Sequence, residues 1–136
     1  MRHSILAAEK IEMNKKRPKH LDLRKIKLPL PGYVSILHRI SGALLFLTLP
    51  LLLFLFDQSL RSIETYTNLA ECLAHPVLKL ALLALMWAFL HHFCAGLRYL
   101  AIDLHLLPNL AAARSSSIWV LGVSLTLTVV LGVKLW

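Results

Sequence analysis

Three long apolar stretches, at residues 33–56, 77–100 and 118–136, constrain this chain more than any other feature. A helix crossing the hydrocarbon core of a bilayer needs about 20 predominantly apolar residues, and each stretch supplies or nearly supplies them. The first is cleanest over 40–56, and the second contains the run LALLALMWAFL before it meets His91 and His92. The third is rich in β-branched residues that would favour a strand in water. In lipid the unpaired backbone of an open strand forbids one, so the expected fold is an all-α membrane protein of three transmembrane helices. Composition agrees: 57% of residues are hydrophobic and 16% charged, against about 25% charged in an average soluble domain. Only two cysteines occur, Cys72 and Cys94, without paired-ligand spacing, so neither a disulfide framework nor a zinc site is expected.

The net charge of +8 is concentrated at one end, with nine of the 15 Lys and Arg residues in the first 27 positions. Such a head can signal nucleic-acid binding, but no soluble domain follows to carry it, and membrane topology explains the same asymmetry. Basic residues mark the cytoplasmic side. Residues 1–32 therefore read as a cytoplasmic N-terminal segment, and 33–136 as the anchor, with the first loop outside, the second inside and the C-terminus periplasmic. Residues 57–76 and 104–117 read as loops, with Pro76 starting the second helix and Ser115-Ser116-Ser117 capping the third. No secretory signal is legible at the N-terminus.

This topology brings the start of span one and the end of span two to one face, where polar residues collect. Ser35, Arg39 and Gly42 share a helix face in span one, and His92, Gly96 and Tyr99 share one in span two. Ionisable groups in a span are costly and usually functional. A neutral imidazole is a common metal and haem ligand, and Gly96, one turn from His92, offers a flat macrocycle a close approach. His91 points about 100° away, so both histidines cannot face one cofactor. The ordinary alternative is that either histidine hydrogen-bonds a neighbouring helix. For Arg39 the alternative is snorkelling to the headgroups, set against a Ser35–Arg39 donor pair suited to a quinone carbonyl. Arg98 is expected at the interface, and with Asp103 forms either part of the polar cluster or a surface pair worth little.

Ser35-Ile36-Leu37-His38-Arg39-Ile40-Ser41-Gly42 resembles the S-x-x-H-R-x-[ST]-G signature of the cytochrome b membrane-anchor (C) subunits of succinate dehydrogenase. His92-Phe93-Cys94-Ala95-Gly96-Leu97-Arg98, followed by Asp103, resembles the second signature of that family, and Arg17-Pro18 with Leu21-Asp22-Leu23 resembles its approach to the membrane. The resemblance implies a four-subunit complex in a bacterial inner membrane: a flavoprotein subunit, an iron–sulfur subunit, and two anchors that share haem b and bind ubiquinone. It implies His92 as an axial haem ligand, with the second ligand from the partner anchor, His38 and Arg39 near the haem propionates, and Ser35 and Arg39 at the quinone site. The chain departs from the family at Tyr99, where many relatives carry histidine. The likeness starts near Met13, which is expected to be the natural start, with the first twelve residues an upstream extension. Fumarate reductase anchors share the pattern, so the direction of turnover stays open. A haem-free structural subunit or assembly factor is the alternative from a different class.

Overall fold

A computed structural model describes residues 28–107 and 109–135. The basic head and its Met13, and Trp136, lie outside the described residues. Four helices follow one another: α1 (Leu30–Arg61), α2 (Ile63–Leu73), α3 (Pro76–Asp103) and α4 (Leu110–Leu135). Three of them, α1, α3 and α4, are long and apolar enough to cross a membrane. Residues 40–56, 80–97 and 115–133 within them carry no Asp, Glu, Lys or Arg. At 1.5 Å rise per residue these segments measure about 25–29 Å, close to the hydrocarbon thickness.

α3 is the central helix and packs against both α1 and α4. The pairings are antiparallel, because Arg98 of α3 meets Ser116 of α4, while Leu83 of α3 lies against Gly132. One end of the bundle therefore gathers Arg39, Arg98 and Arg114, here called the arginine end, and the far end holds Asp57, Lys79 and Lys134. The internal core is small: Val34, Ala88, Ala95 and Val120 are its buried apolar residues. Most large apolar side chains face outward, including Phe46, Phe54, Trp119 and Val133. Helices that are apolar on every face need lipid or another protein around them.

The helices differ from the expected spans at their ends. Residues 57–76 are not a loop: α1 continues to Arg61, and α2 follows after the single extended residue Ser62. The cause is a capping box that 57–76 conceals. Ser62 Oγ accepts from the Thr65 backbone N–H at 3.1 Å, and Thr65 Oγ1 accepts from the Ser62 N–H at 3.1 Å. Thr65 also donates to the carbonyl of Gln58 at 2.8 Å, tying α2 to the end of α1. The start of α4 is displaced in the same sense. Asn109 is its cap, accepting from the Ala112 N–H at 2.8 Å, and Ala111, Ala112 and Ala113 carry the helix upstream of the serines. Ser116 and Ser117 sit inside the helix and donate back to the Ala113 carbonyl at 3.1 and 2.9 Å. Pro76 does open α3, with the His75 side chain accepting from the Val77 N–H.

Candidate functional site

At the arginine end α1 and α3 come close because small and β-branched side chains meet between them. Val34 and Ala95 have no exposed surface and form one cluster with Val120 of α4. Above this contact His38 and Gly42 of α1 face His92 of α3, while Arg39 is exposed. The His38 and His92 rings are stacked, with centroids 4.2 Å apart and planes 6° from parallel, and the Tyr99 ring lies 5.2 Å from that of His38, tilted by 56°.

The His92 ring is held by its Nδ1, 3.1 Å from the His38 carbonyl oxygen and 3.3 Å from Ser41 Oγ. Ser41 is buried and donates its own proton to the same carbonyl at 3.0 Å. A carbonyl can only accept, so Nδ1 is the nitrogen that carries the proton. In the neutral ring Nε2 then keeps its lone pair, and among the described residues it makes no hydrogen bond. A histidine whose far nitrogen is fixed on a backbone carbonyl has the arrangement that orients metal-ligating imidazoles. No group of three or more His, Cys, Asp or Glu among the described residues could hold a metal ion.

Gly42, not Gly96, makes room for this ring. A Cβ at Gly42 would stand 2.8 Å from His92 Cε1, whereas one at Gly96 would meet only His38 Nε2, at 3.9 Å. The glycine expected to serve His92 on its own helix thus faces His38, and the close approach is supplied from α1. Ser41 and Gly42 as partners of His92 escape a reading by single-helix stripes, although both stand in the first signature.

His91 occupies a different environment. It is fully buried, its ring tilts against Trp87 at 5.3 Å, and among the described residues neither ring nitrogen is within hydrogen-bond geometry of a partner. The two adjacent histidines therefore face apart, as the 100° step between neighbours requires.

The profile of the succinate dehydrogenase/fumarate reductase transmembrane subunit family matches residues 13–131. The chain belongs to this family. It is 40% identical over 125 residues to the succinate dehydrogenase cytochrome b556 subunit of Coxiella burnetii, covering 91% of this chain and all of that one. It is 31% identical over 124 residues to the subunits of the same description from Rickettsia felis and Rickettsia typhi, covering 91% of this chain and 97% of each of theirs. The chain is thus a cytochrome b anchor subunit by kinship, and its three apolar helices agree with a membrane-embedded subunit.

Within this succinate dehydrogenase anchor, Ser35 is half-buried and Arg39 exposed, and neither side chain makes a hydrogen bond among the described residues. Both remain available to an external ligand. Arg98 stands just past the uncharged 80–97 segment, and its side chain turns into the bundle. It is only 7% exposed, its Nε donates to Ser116 Oγ at 2.9 Å, and its Nη2 donates to the Ala113 carbonyl at 3.1 Å. Asp103 is exposed, and among the described residues it makes no ion pair with Arg98. Arg98 is drawn inward because the start of α4, extended by its alanines, presents the Ala113 carbonyl and the Ser116 hydroxyl within reach.

Proposed function

We propose that this chain is the membrane anchor of a bacterial succinate dehydrogenase, with its N-terminus in the cytoplasm. In this reading it binds haem b jointly with a second anchor subunit and helps to form the ubiquinone-reducing site beside the iron–sulfur and flavoprotein subunits. The observation that carries the reading is the His92 ring, oriented by the His38 carbonyl with Nε2 bare. That donor set fits a haem iron, and Gly42 leaves the ring its space. His92 would hold the haem iron from this chain, and His38 and Arg39 would hold its propionates. Haem b would supply a one-electron carrier between the two anchor subunits.

At the quinone site Arg39 stabilises the negative charge that develops on a quinone oxygen as electrons arrive, and Ser35 donates a hydrogen bond to the same oxygen. Preorganised donors of this kind are most effective in a low-dielectric cleft, and Ser35 and Arg39 stand at the border of the uncharged 40–56 segment. The basic head, the positive-inside rule and the clustering of Arg39, Arg98 and Arg114 at one end support the cytoplasmic side for this site. The test is Arg39→Ala in the purified complex. Quinone reduction is expected to fall at least tenfold while succinate oxidation by an artificial acceptor keeps most of its rate. Equal loss of both activities would remove Arg39 from the quinone site.

A further inference from the structure

Tyr99 has no part in the haem or quinone reading, yet it stands in a series of contacts that ends on His92. The bond from Nδ1 to the His38 carbonyl holds one edge of the His92 ring. A single hydrogen bond tolerates a broad range of angles, so the ring could still swing about the line of that bond. The His38 ring, parallel to within 6° at 4.2 Å, removes this freedom. The plane of His92 is therefore only as fixed as the ring of His38.

What holds His38 comes from α3. Among the described residues its ring nitrogens make no hydrogen bond, and the two side chains that bond to it both use its backbone carbonyl. Its ring is placed by packing against one stripe of α3. His92 and Tyr99 stand seven residues apart, about 10.5 Å of rise, and both rings lie against His38, at 4.2 and 5.2 Å. Gly96 stands between them, and a Cβ there would meet His38 Nε2 at 3.9 Å and no other atom within 4 Å. The His38 ring thus lies over Gly96, in the stretch of α3 that His92 and Tyr99 bracket. Tyr99 is anchored in turn. Arg98 Cζ is 5.5 Å from the centroid of its ring, within reach of cation–π attraction, and Arg98 is fixed to Ser116 and Ala113 of α4. The contacts run in one series from α4 through Arg98, Tyr99 and His38 to His92.

We infer that Tyr99 is a positioning residue of the haem site, clamping the His38 ring against His92 and so fixing the plane in which the His92 imidazole is presented. This role rests on the haem ligation by His92 proposed above. An aromatic pair favours its paired arrangement by a factor of about 2–12, so losing the Tyr99 ring should spread the His92 plane over a wider range of angles without displacing the ligand. The plane of an axial imidazole is read in the g-values of a low-spin ferric haem, which neither turnover nor melting temperature reports.

The test is the electron paramagnetic resonance spectrum of the oxidised, purified complex. Tyr99→Leu and Tyr99→Ala are expected to shift and broaden the largest g-value, and Tyr99→Phe, which keeps the ring, should restore the wild-type line. Because Tyr99 acts through His38, Tyr99→Leu combined with His38→Ala should be displaced no further than His38→Ala alone. His38→Phe keeps a ring to stack but has no nitrogen for a propionate, and it should stay nearer the wild-type line than His38→Ala. A wild-type line in Tyr99→Leu would overturn the inference, as would a shift in Tyr99→Phe equal to that in Tyr99→Leu, or additive shifts in the double variant. Failure of both Tyr99→Leu and Tyr99→Ala to assemble would make Tyr99 a structural residue and overturn it too. If His92→Ala keeps the low-spin signal, the ligation fails and the clamp with it. If His92→Ala loses that signal while Tyr99→Leu keeps the wild-type line, the clamp alone fails.

Discussion

Gly42→Ala sets two opposed effects against each other at His92. In a helix interior, exchanging glycine for alanine gains about 0.8–1 kcal/mol from propensity alone. Against this, the new Cβ would lie 2.8 Å from His92 Cε1 and 3.2 Å from Nδ1, where carbon atoms prefer about 3.5–4.0 Å. The ring must retreat by about 0.7 Å or more. Its Nδ1 is 3.1 Å from the His38 oxygen, so a retreat of that size along the contact leaves about 3.8 Å, beyond hydrogen-bond range. Losing that bond costs about 0.5–1.5 kcal/mol, and overpacking adds about 1–3 kcal/mol. The net expectation is a loss of about 1–3 kcal/mol, or roughly 5- to 150-fold in retention of a haem ligated by this ring. The assay is thermal unfolding of the purified complex, followed both by haem absorbance and by intrinsic fluorescence. Gly122→Ala is the control, because a Cβ there meets nothing within 4 Å, and it should be neutral or stabilising. If Gly42→Ala raises the melting temperature as Gly122→Ala does, with an unchanged haem spectrum, the packing of His92 against Gly42 is wrong.

Further outcomes follow from the other contacts. Arg98→Ala breaks the hydrogen bonds from Nε to Ser116 and from Nη2 to Ala113 across the α3–α4 contact. It should cost about 2–4 kcal/mol, with Ser116→Ala costing about 1–2 and the pair less than the sum, as a double-mutant cycle of melting temperatures would register; a loss under about 0.5 kcal/mol for Arg98→Ala would contradict the staple. Arg98→Lys should not rescue, because an ammonium cannot reproduce the fork of donors. His105 closes α3 with a positive φ of 59°, a conformation that costs an L-residue about 1–2 kcal/mol. His105→Gly should therefore raise stability by about 1 kcal/mol, and a lower melting temperature would show that its side chain holds the turn.

How much of this was legible in the sequence depended on which force set each feature. The three spans were legible because the bilayer demands uninterrupted apolar length, a one-dimensional property. Their ends were not, because Ser62 with Thr65 and Asn109 with Ala112 are local hydrogen-bond pairs that a hydropathy reading passes over. The convergence of Ser35, His38, Arg39 and His92 on one end followed from alternating span direction. Which residues of α1 touch His92 did not follow, since helical spacing orders residues along one helix and says nothing of rotation against another. Gly96 was the nearer glycine in sequence, and Gly42 is the nearer in space. Arg98 shows the same limit at the end of a long side chain. Its burial depends on Ser116 and Ala113, 18 and 15 residues away on a helix that begins earlier than its serines suggest.

The central claim, that His92 and not His91 is the haem ligand of this anchor, is most directly tested by the low-temperature optical and electron paramagnetic resonance spectra of the purified complex. His92→Ala is expected to abolish or reshape the six-coordinate low-spin haem signature. His91→Ala should leave that signature in place, even if it weakens the bundle around Trp87. An unaltered low-spin spectrum in His92→Ala, or its loss in His91→Ala alone, would contradict the account.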